Sequence, residues 1–465
     1  MSKLFDAATT GDARTQNGCA TNSTTSDLNL DLFFAIGGSR GKNLSSMFSS
    51  AYRENSDYAL RIMQHARDVR GGVGERQQFR DLFAWLIKHN PEMAARVAVK
   101  IPEIGRWDDV LVMLGTPLQD LALEMIRAAL ADGNQLCAKW MPRPTKKHAK
   151  TAKIIHTYLG MEPKLYRKLI VGLTNVVEQK MCANKWDTIE YSHLPSKAAA
   201  RYQKAFGIHD AVRYNEYIAK LEKGEAKINA GAIFPHDVVL SARTGNNAVA
   251  TQQWAALPNY MEATGHRILP VIDVSGSMGC GVGGSASVSC MDAAIAMGMY
   301  VAERNIGPFK DEFITFSETP KMMKIQGSTL RDRYINVKNA PWGYNTNFIK
   351  VFELILAKAK QNKLTNEDLP TMVIVFSDME FDSAGGSTTA QQKIQQLYDA
   401  AGFEVPTLVY WNLHGSGGNN PVKAYDKNTA LVSGFSPAIL TSVLSGGTDP
   451  VQVMLDAIMK PRYDY

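Results

Sequence analysis

Residues 268–278 read Ile-Leu-Pro-Val-Ile-Asp-Val-Ser-Gly-Ser-Met, and this stretch decides the fold class. Apolar residues fill consecutive positions up to Ile272, as a strand covered on both faces requires. An aspartate and two hydroxyls then follow where the chain leaves the sheet. A second run of the same kind, Met372-Val-Ile-Val-Phe376, leads directly into Ser377-Asp378.

Working outward from these runs, strand and helix alternate to the C-terminus. The expected elements are strand Ile268–Asp273, helix Met291–Glu303, strands Glu312–Phe316 and Lys321–Ile325, helix Asn347–Lys360 and strand Thr371–Ser377. Helix Ala390–Ala401, strands Thr407–Asn412 and Ala430–Val432, and helix Pro450–Met459 complete the series. Such alternation gives a doubly wound, mainly parallel, Rossmann-like α/β sheet. Lys321–Ile325 follows its predecessor too closely for a crossover, so it is expected to run antiparallel at an edge.

Ligands of such sheets bind at the carboxyl ends of the strands, where strand order reverses. Three loops offer oxygen ligands there. Asp273, Ser275 and Ser277 are spaced by two and can point one way. Thr346 stands in Trp342-Gly-Tyr-Asn-Thr346-Asn-Phe348 before a helix, and Asp378 ends the second apolar strand. Hard divalent cations take carboxylate, hydroxyl and water oxygens, so Mg²⁺ is the expected ion, with Mn²⁺ or Ca²⁺ as substitutes.

This constellation resembles the metal-ion-dependent adhesion site of von Willebrand factor A domains, where a DxSxS loop, a threonine and a further aspartate surround one Mg²⁺ or Mn²⁺. By position, Asp273, Ser275 and Ser277 match the first element, Thr346 the second and Asp378 the third. The resemblance implies one coordination position left for an acidic ligand of a protein partner. The third loop reads Ser-Asp-Met-Glu where Thr-Asp-Gly is commoner, so Glu380 is expected as a partner behind the ligands.

The first half has a different texture. Between Leu30 and Leu221 apolar residues recur three and four apart, which predicts amphipathic helices. The expected helices are Asn43–Asn55, Ser56–Arg67, Gly74–His89, Pro91–Ile101, Trp107–Leu114, Leu118–Gly133, Lys146–Leu159, Pro163–Met181, Ser196–Phe206 and Asp210–Lys223. Many short helices imply stacked pairs in an irregular array. A final helix at Val249–Ala263, kinked at Pro258, is expected in the connector. The domain reading is therefore a flexible arm at 1–29, a helical domain at 30–240, a connector at 241–266 and the sheet domain at 267–465. Residues 7–28 hold little to bury, so the arm is expected to be mobile or ordered only by a partner.

A helical array followed by a von Willebrand A domain resembles the Ro autoantigen family, whose TROVE module is built from HEAT-like helical repeats. The stretch Ala66-Arg-Asp-Val-Arg-Gly-Gly-Val-Gly-Glu-Arg76 is similar to a turn of that module. Trp107-Asp-Asp109, Lys139-Trp-Met-Pro142 and Tyr166-Arg-Lys168, with Trp411-Asn-Leu413 and Ser433-Gly-Phe-Ser436, are more similar still to a Ro-related family of plants, bacteria and phages. The resemblance implies RNA binding. Its physical counterpart is a local basic excess: eleven Lys or Arg fall between Lys139 and Lys185 against Glu162 and Glu178 only, in a chain of net charge +6. Lys139, Arg143, Lys146, Lys147, Lys150 and Lys153 supply phosphate contacts, and Trp140, His156, Tyr158 and Tyr166 are candidates to stack bases. A solvated helix face with aromatic residues in the core is the plainer reading of the same run.

Five scattered cysteines without a CxxC pair exclude a disulfide framework and a zinc knuckle, and point to reduced thiols in the cytoplasm. Cys280 and Cys290 bracket a Gly/Ser-rich loop, which by itself does not argue for a bridge. No stretch has signal-peptide or membrane-span character. No nucleophile–base arrangement is legible, so no enzyme is expected. The favoured function is a non-enzymatic RNA-binding scaffold of Ro type with a metal adhesion site. The alternative is a metal-dependent protein–protein assembly or structural adaptor, such as a component of a phage virion. A metal-dependent hydrolase is the weakest reading, because no base accompanies the ion.

Overall fold

The computed structural model describes residues 11–245, 247–261, 265–281, 288–316, 319–341, 347–382, 388–415, 419–445, 447 and 449–465. The C-terminal half is a six-stranded sheet. Its strands are β3 (Ile268–Asp273), β4 (Glu312–Phe316), β5 (Met322–Lys324), β6 (Met372–Ser377), β7 (Thr407–Asn412) and β8 (Thr429–Ser433), while β1 (Ala13–Arg14) and β2 (Ala20–Thr21) form a small hairpin. The order is β5-β4-β3-β6-β7-β8, parallel except for the edge strand β5. Every residue of β3 and β6 is buried, which accounts for their unbroken apolar runs.

Successive strands leave β3 in opposite directions, so the order reverses between β3 and β6. Their register pairs Val271 with Val375 and Ile272 with Phe376. Asp273 and Ser377 therefore end adjacent strands at the same sheet rim. The helix Cys290–Arg304 crosses β3 closely enough that a Cβ on Gly298 would lie 2.4 Å from Ile272 Cδ1. A larger residue there would have to displace the buried Ile272 side chain. The helix is started by a reciprocal cap, in which Ser289 Oγ accepts from Asp292 N and the Asp292 carboxylate accepts from Ser289 N, both at 3.1 Å.

The helical half begins on this sheet and ends on the helix Cys290–Arg304 that covers it. Helix Leu28–Ile36 packs on β8, where Ser433 Oγ donates to Phe33 O at 3.1 Å and accepts from Gly37 N at 3.0 Å. Short helices then stack in sequence, Ser45–Glu54, Ser56–Arg67, Arg76–His89 and Pro91–Ala98. The path returns through helix Pro235–Thr244, which packs on Cys290–Arg304 and is tied to it by Arg243 and Asp292 at 3.0 Å. Phe234, just before that helix, also meets the early turn at Gly74, where a Cβ would lie 2.8 Å from its ring. The array is thus a closed circuit. One apolar core runs from Cys19 to Tyr463 through both halves, and a second gathers Tyr191, Phe206, Tyr214 and Tyr217 in the distal helices.

Several boundaries differ from those expected. From residue 11 onward the arm is part of the body, with Cys19, Ala20, Thr21 and Asn22 buried. It is held by polar contacts to the sheet domain: Asn22 and Asn420 exchange backbone hydrogen bonds at 3.0 Å, and Thr15 Oγ1 donates to Phe381 O at 2.6 Å. The expected helix Pro163–Met181 is two helices, Pro163–Leu173 and Val177–Cys182, and Ser196–Phe206 is broken at Tyr202. The connector holds helices Pro235–Thr244 and Asn247–Ala255, the first crossing the expected boundary at 240. The second ends before Pro258, whose carbonyl accepts from Tyr300 Oη at 2.5 Å. Helix Leu330–Lys338 adds an element that the apolar spacing does not announce.

Two conspicuous stretches of the helical half meet in one buried ion cluster. Asp109 is fully buried and accepts from Arg67 Nε at 2.7 Å, Arg80 Nε at 2.6 Å and Arg106 N at 3.0 Å. Arg67 is itself buried, so removing the carboxylate strands a cation. Asp109→Ala is expected to destabilise the protein by about 3–5 kcal/mol, read as a lower denaturant midpoint. An unchanged midpoint contradicts this role.

Candidate metal centre

The site is built where β3 and β6 end. Asp273 is fully buried, Asp378 is 2% exposed and Ser275 is buried, whereas Ser277 is exposed. The turn after β3 is organised by Asp273 itself, whose Oδ1 accepts from Ser275 N at 2.9 Å. This turn brings Ser275 Oγ and Ser277 Oγ to 3.0 Å. From the neighbouring strand, Ser377 Oγ donates to Asp273 Oδ2 at 2.6 Å and accepts from Met379 N at 3.0 Å.

Two carboxylates therefore share a dry rim. Burial first, and then the adjacent charge of Asp378, raise the Asp273 carboxyl well above the usual carboxylate range. A pair of this kind is stabilised by a cation between its members. The donor set is wholly hard oxygen, two carboxylates and two hydroxyls, and so fits Mg²⁺ or Mn²⁺. Thr346 lies outside the described residues; the other four proposed ligands are brought together.

Met379 has φ +67°. A non-glycine residue in the left-handed region costs on the order of 1 kcal/mol. The strain is held by burial of the side chain and by Asn419 Nδ2 donating to Met379 O at 3.0 Å. It directs Glu380 N onto Asp378 Oδ1 at 3.2 Å. Glu380 is buried, and its carboxylate accepts from Gln16 N at 2.6 Å while its carbonyl accepts from Asn17 Nδ2 at 2.8 Å. The residue behind Asp378 is thus also the anchor of the N-terminal segment. Ser377 and residues 15–17 are contributors that the sequence pattern did not single out.

The basic run is divided between two places. Lys139 and Trp140 line a cavity of about 640 Å³, together with Arg106, Lys180, Lys197 and Arg201 and with Glu178 and Glu190. The Arg106 guanidinium lies 3.8 Å over the Trp140 ring. Lys150 and Lys153 instead line a shallow groove with Tyr158, and Lys147, Lys150 and Lys153 are exposed. Arg143 is half-buried; the Lys146 side chain lies outside the described part. Tyr166 does not stack bases: it is fully buried and donates to Pro142 O at 3.1 Å. His156 is half-buried with Nδ1 3.0 Å from Met161 O, which leaves Tyr158 as the exposed ring and Trp140 as a half-buried one.

Saturating Mg²⁺ is expected to raise the stability of the chain by about 2–3 kcal/mol at roughly 100 times its Kd, seen as an upward shift in thermal midpoint. Asp273→Asn, which removes the repulsion and a ligand together, should be no less stable without metal and indifferent to Mg²⁺. A variant that still responds contradicts the site.

Comparison with known proteins adds to this geometry. Residues 267–458 match the family described as Domain of unknown function (DUF7788), and residues 15–103 and 163–266 match the one described as Domain of unknown function (DUF2828). The chain is 29% identical to an uncharacterized protein of Acanthamoeba polyphaga mimivirus, over 96% of this chain and 87% of that protein. It is similar to the crystal structure of the Deinococcus radiodurans Ro (RSR) protein, with a TM-score of 0.51 and 15% identity over 93% of this chain and 99% of that one. The chain therefore has the Ro fold, a circuit of helices joined to a von Willebrand A-like sheet domain.

Proposed function

We propose that this chain is a non-enzymatic RNA-binding scaffold of Ro type, acting in the cytoplasm, whose sheet domain recruits a protein partner through a divalent cation. The reading is carried by the cavity at Trp140. Five Lys or Arg side chains face it against two glutamates, and among the described residues no carboxylate lies within ion-pair distance of Lys139, Lys180 or Arg201. A basic hollow beside an aromatic ring suits the backbone and one unpaired base of a single strand. The exposed Lys147, Lys150 and Lys153 add a second basic surface, apart from the cavity, that attracts phosphates in the same way.

Asp273, Ser275, Ser277 and Asp378, with Thr346, would hold Mg²⁺. The ion supplies a positive centre to which a partner's carboxylate can bind. Glu380 positions Asp378 through the backbone hydrogen bond of its own amide and keeps the N-terminal segment against the site. No proton transfer or bond cleavage is required of these residues.

Fluorescence anisotropy with a single-stranded RNA oligonucleotide tests the proposal. Binding should weaken steeply with salt. The double variant Lys139→Glu, Arg201→Glu should reduce affinity and flatten the salt slope by about 1 per phosphate contact removed, while EDTA leaves RNA binding unchanged. Absence of binding at low salt, or equal affinity of variant and wild type, contradicts it.

A further inference from the structure

A second cluster of potential metal ligands lies on the same rim and shares no residue with the oxygen site. Cys280 ends the turn that follows β3, Cys290 opens the helix Cys290–Arg304, and His414 follows β7. Cys280 Sγ lies 3.4 Å from Cys290 Sγ and 3.5 Å from His414 Nδ1, and Cys290 Sγ lies 4.0 Å from that nitrogen. Cys290 is buried; the other two are half-buried.

We propose that Cys280, Cys290 and His414 form a zinc site, separate from the oxygen site at Asp273 and Asp378. At bond lengths of about 2.3 Å to sulfur and about 2.0 Å to nitrogen, tetrahedral coordination sets ligand atoms roughly 3.5–3.8 Å apart. The three observed separations bracket that range. Ligand chemistry separates the two centres: two thiolates and an imidazole select a soft or borderline cation, whereas carboxylates and hydroxyls select a hard one.

The arrangement is held by backbone contacts as well as by the side chains. Cys290 N donates to Cys280 O at 2.9 Å, and Gly281 and Ser289 form an antiparallel bridge. His414 N donates to Asn412 Oδ1 at 3.0 Å. The ligands thus come from three elements that the sheet and this bridge already fix. Three protein ligands leave a fourth position for water or for a group from elsewhere. A disulfide between Cys280 and Cys290 would use two of the three groups and leave the convergence of His414 unexplained.

The full chain, purified under reducing conditions without metal-affinity steps, is assayed for bound metal by mass spectrometry and then reloaded with Co²⁺. The expected result is stoichiometric zinc, and a cobalt form with tetrahedral d–d bands and thiolate-to-cobalt charge transfer. Zinc and these bands are lost in Cys280→Ser and in His414→Asn and retained in Asp273→Asn. A wild-type protein that binds no zinc and gives no thiolate–cobalt absorption overturns the proposal without reference to any variant. So does metal uptake that survives both ligand substitutions, or a Cys280–Cys290 disulfide in the freshly purified protein. Loss of zinc only in Asp273→Asn assigns the metal to the oxygen site and also overturns it.

Discussion

Two buried carboxylates at the ends of neighbouring parallel strands are the constraint on which the rest of this structure turns. Parallel pairing of β3 with β6 places Asp273 and Asp378 at one rim, and burial of both removes the water that would screen them. The Ser377 hydroxyl and the Ser275 amide satisfy Asp273 in part, yet both donors are neutral. Hydrogen bonds orient the carboxylate; they do not cancel its charge. A cation would, and the side of the turn at Ser277 is open to solvent.

The helical circuit is tied to this rim from several directions. The first helix caps β8, the last helices pack on Cys290–Arg304, and the C-terminal turn is pinned where Tyr463 Oη donates to Asp68 Oδ2 at 3.0 Å and Tyr463 O accepts from Gln64 Nε2 at 2.9 Å. Residues 15–17 close the arrangement by binding Phe381 and Glu380, immediately behind Asp378. Glu380 is thereby the common support of Asp378 and of the N-terminal segment, holding the first through its amide and the second through its carboxylate.

The sheet was legible because its central strands are covered on both faces, and such strands must be continuous apolar runs. The same rule located Asp273 and Asp378, since chain order and the reversal of strand order fix which strand ends meet. Helix Leu330–Lys338 was not legible, because Arg331, Asp332, Arg333 and Lys338 dilute its apolar spacing. The ordered N-terminal segment escaped for a different reason: its partners, such as Asn420 and Phe381, lie hundreds of positions away, and few of its own residues are apolar. The basic run reads as one patch along the chain, yet Lys139 and Lys153 stand on different helices and line different hollows. The convergence of Cys280, Cys290 and His414 escaped as well, because no local spacing announces side chains gathered across a sheet.

One hard cation between Asp273 and Asp378 is what this rim is built to hold if the proposed function is right. Anomalous diffraction from crystals grown with Mn²⁺ tests it most directly. A single strong manganese peak is expected within about 2.3 Å of oxygens from Asp273, Ser275, Ser277 or Asp378. Crystals with Mn²⁺ in solution but no peak at that rim, or a peak held only by other residues, would contradict it.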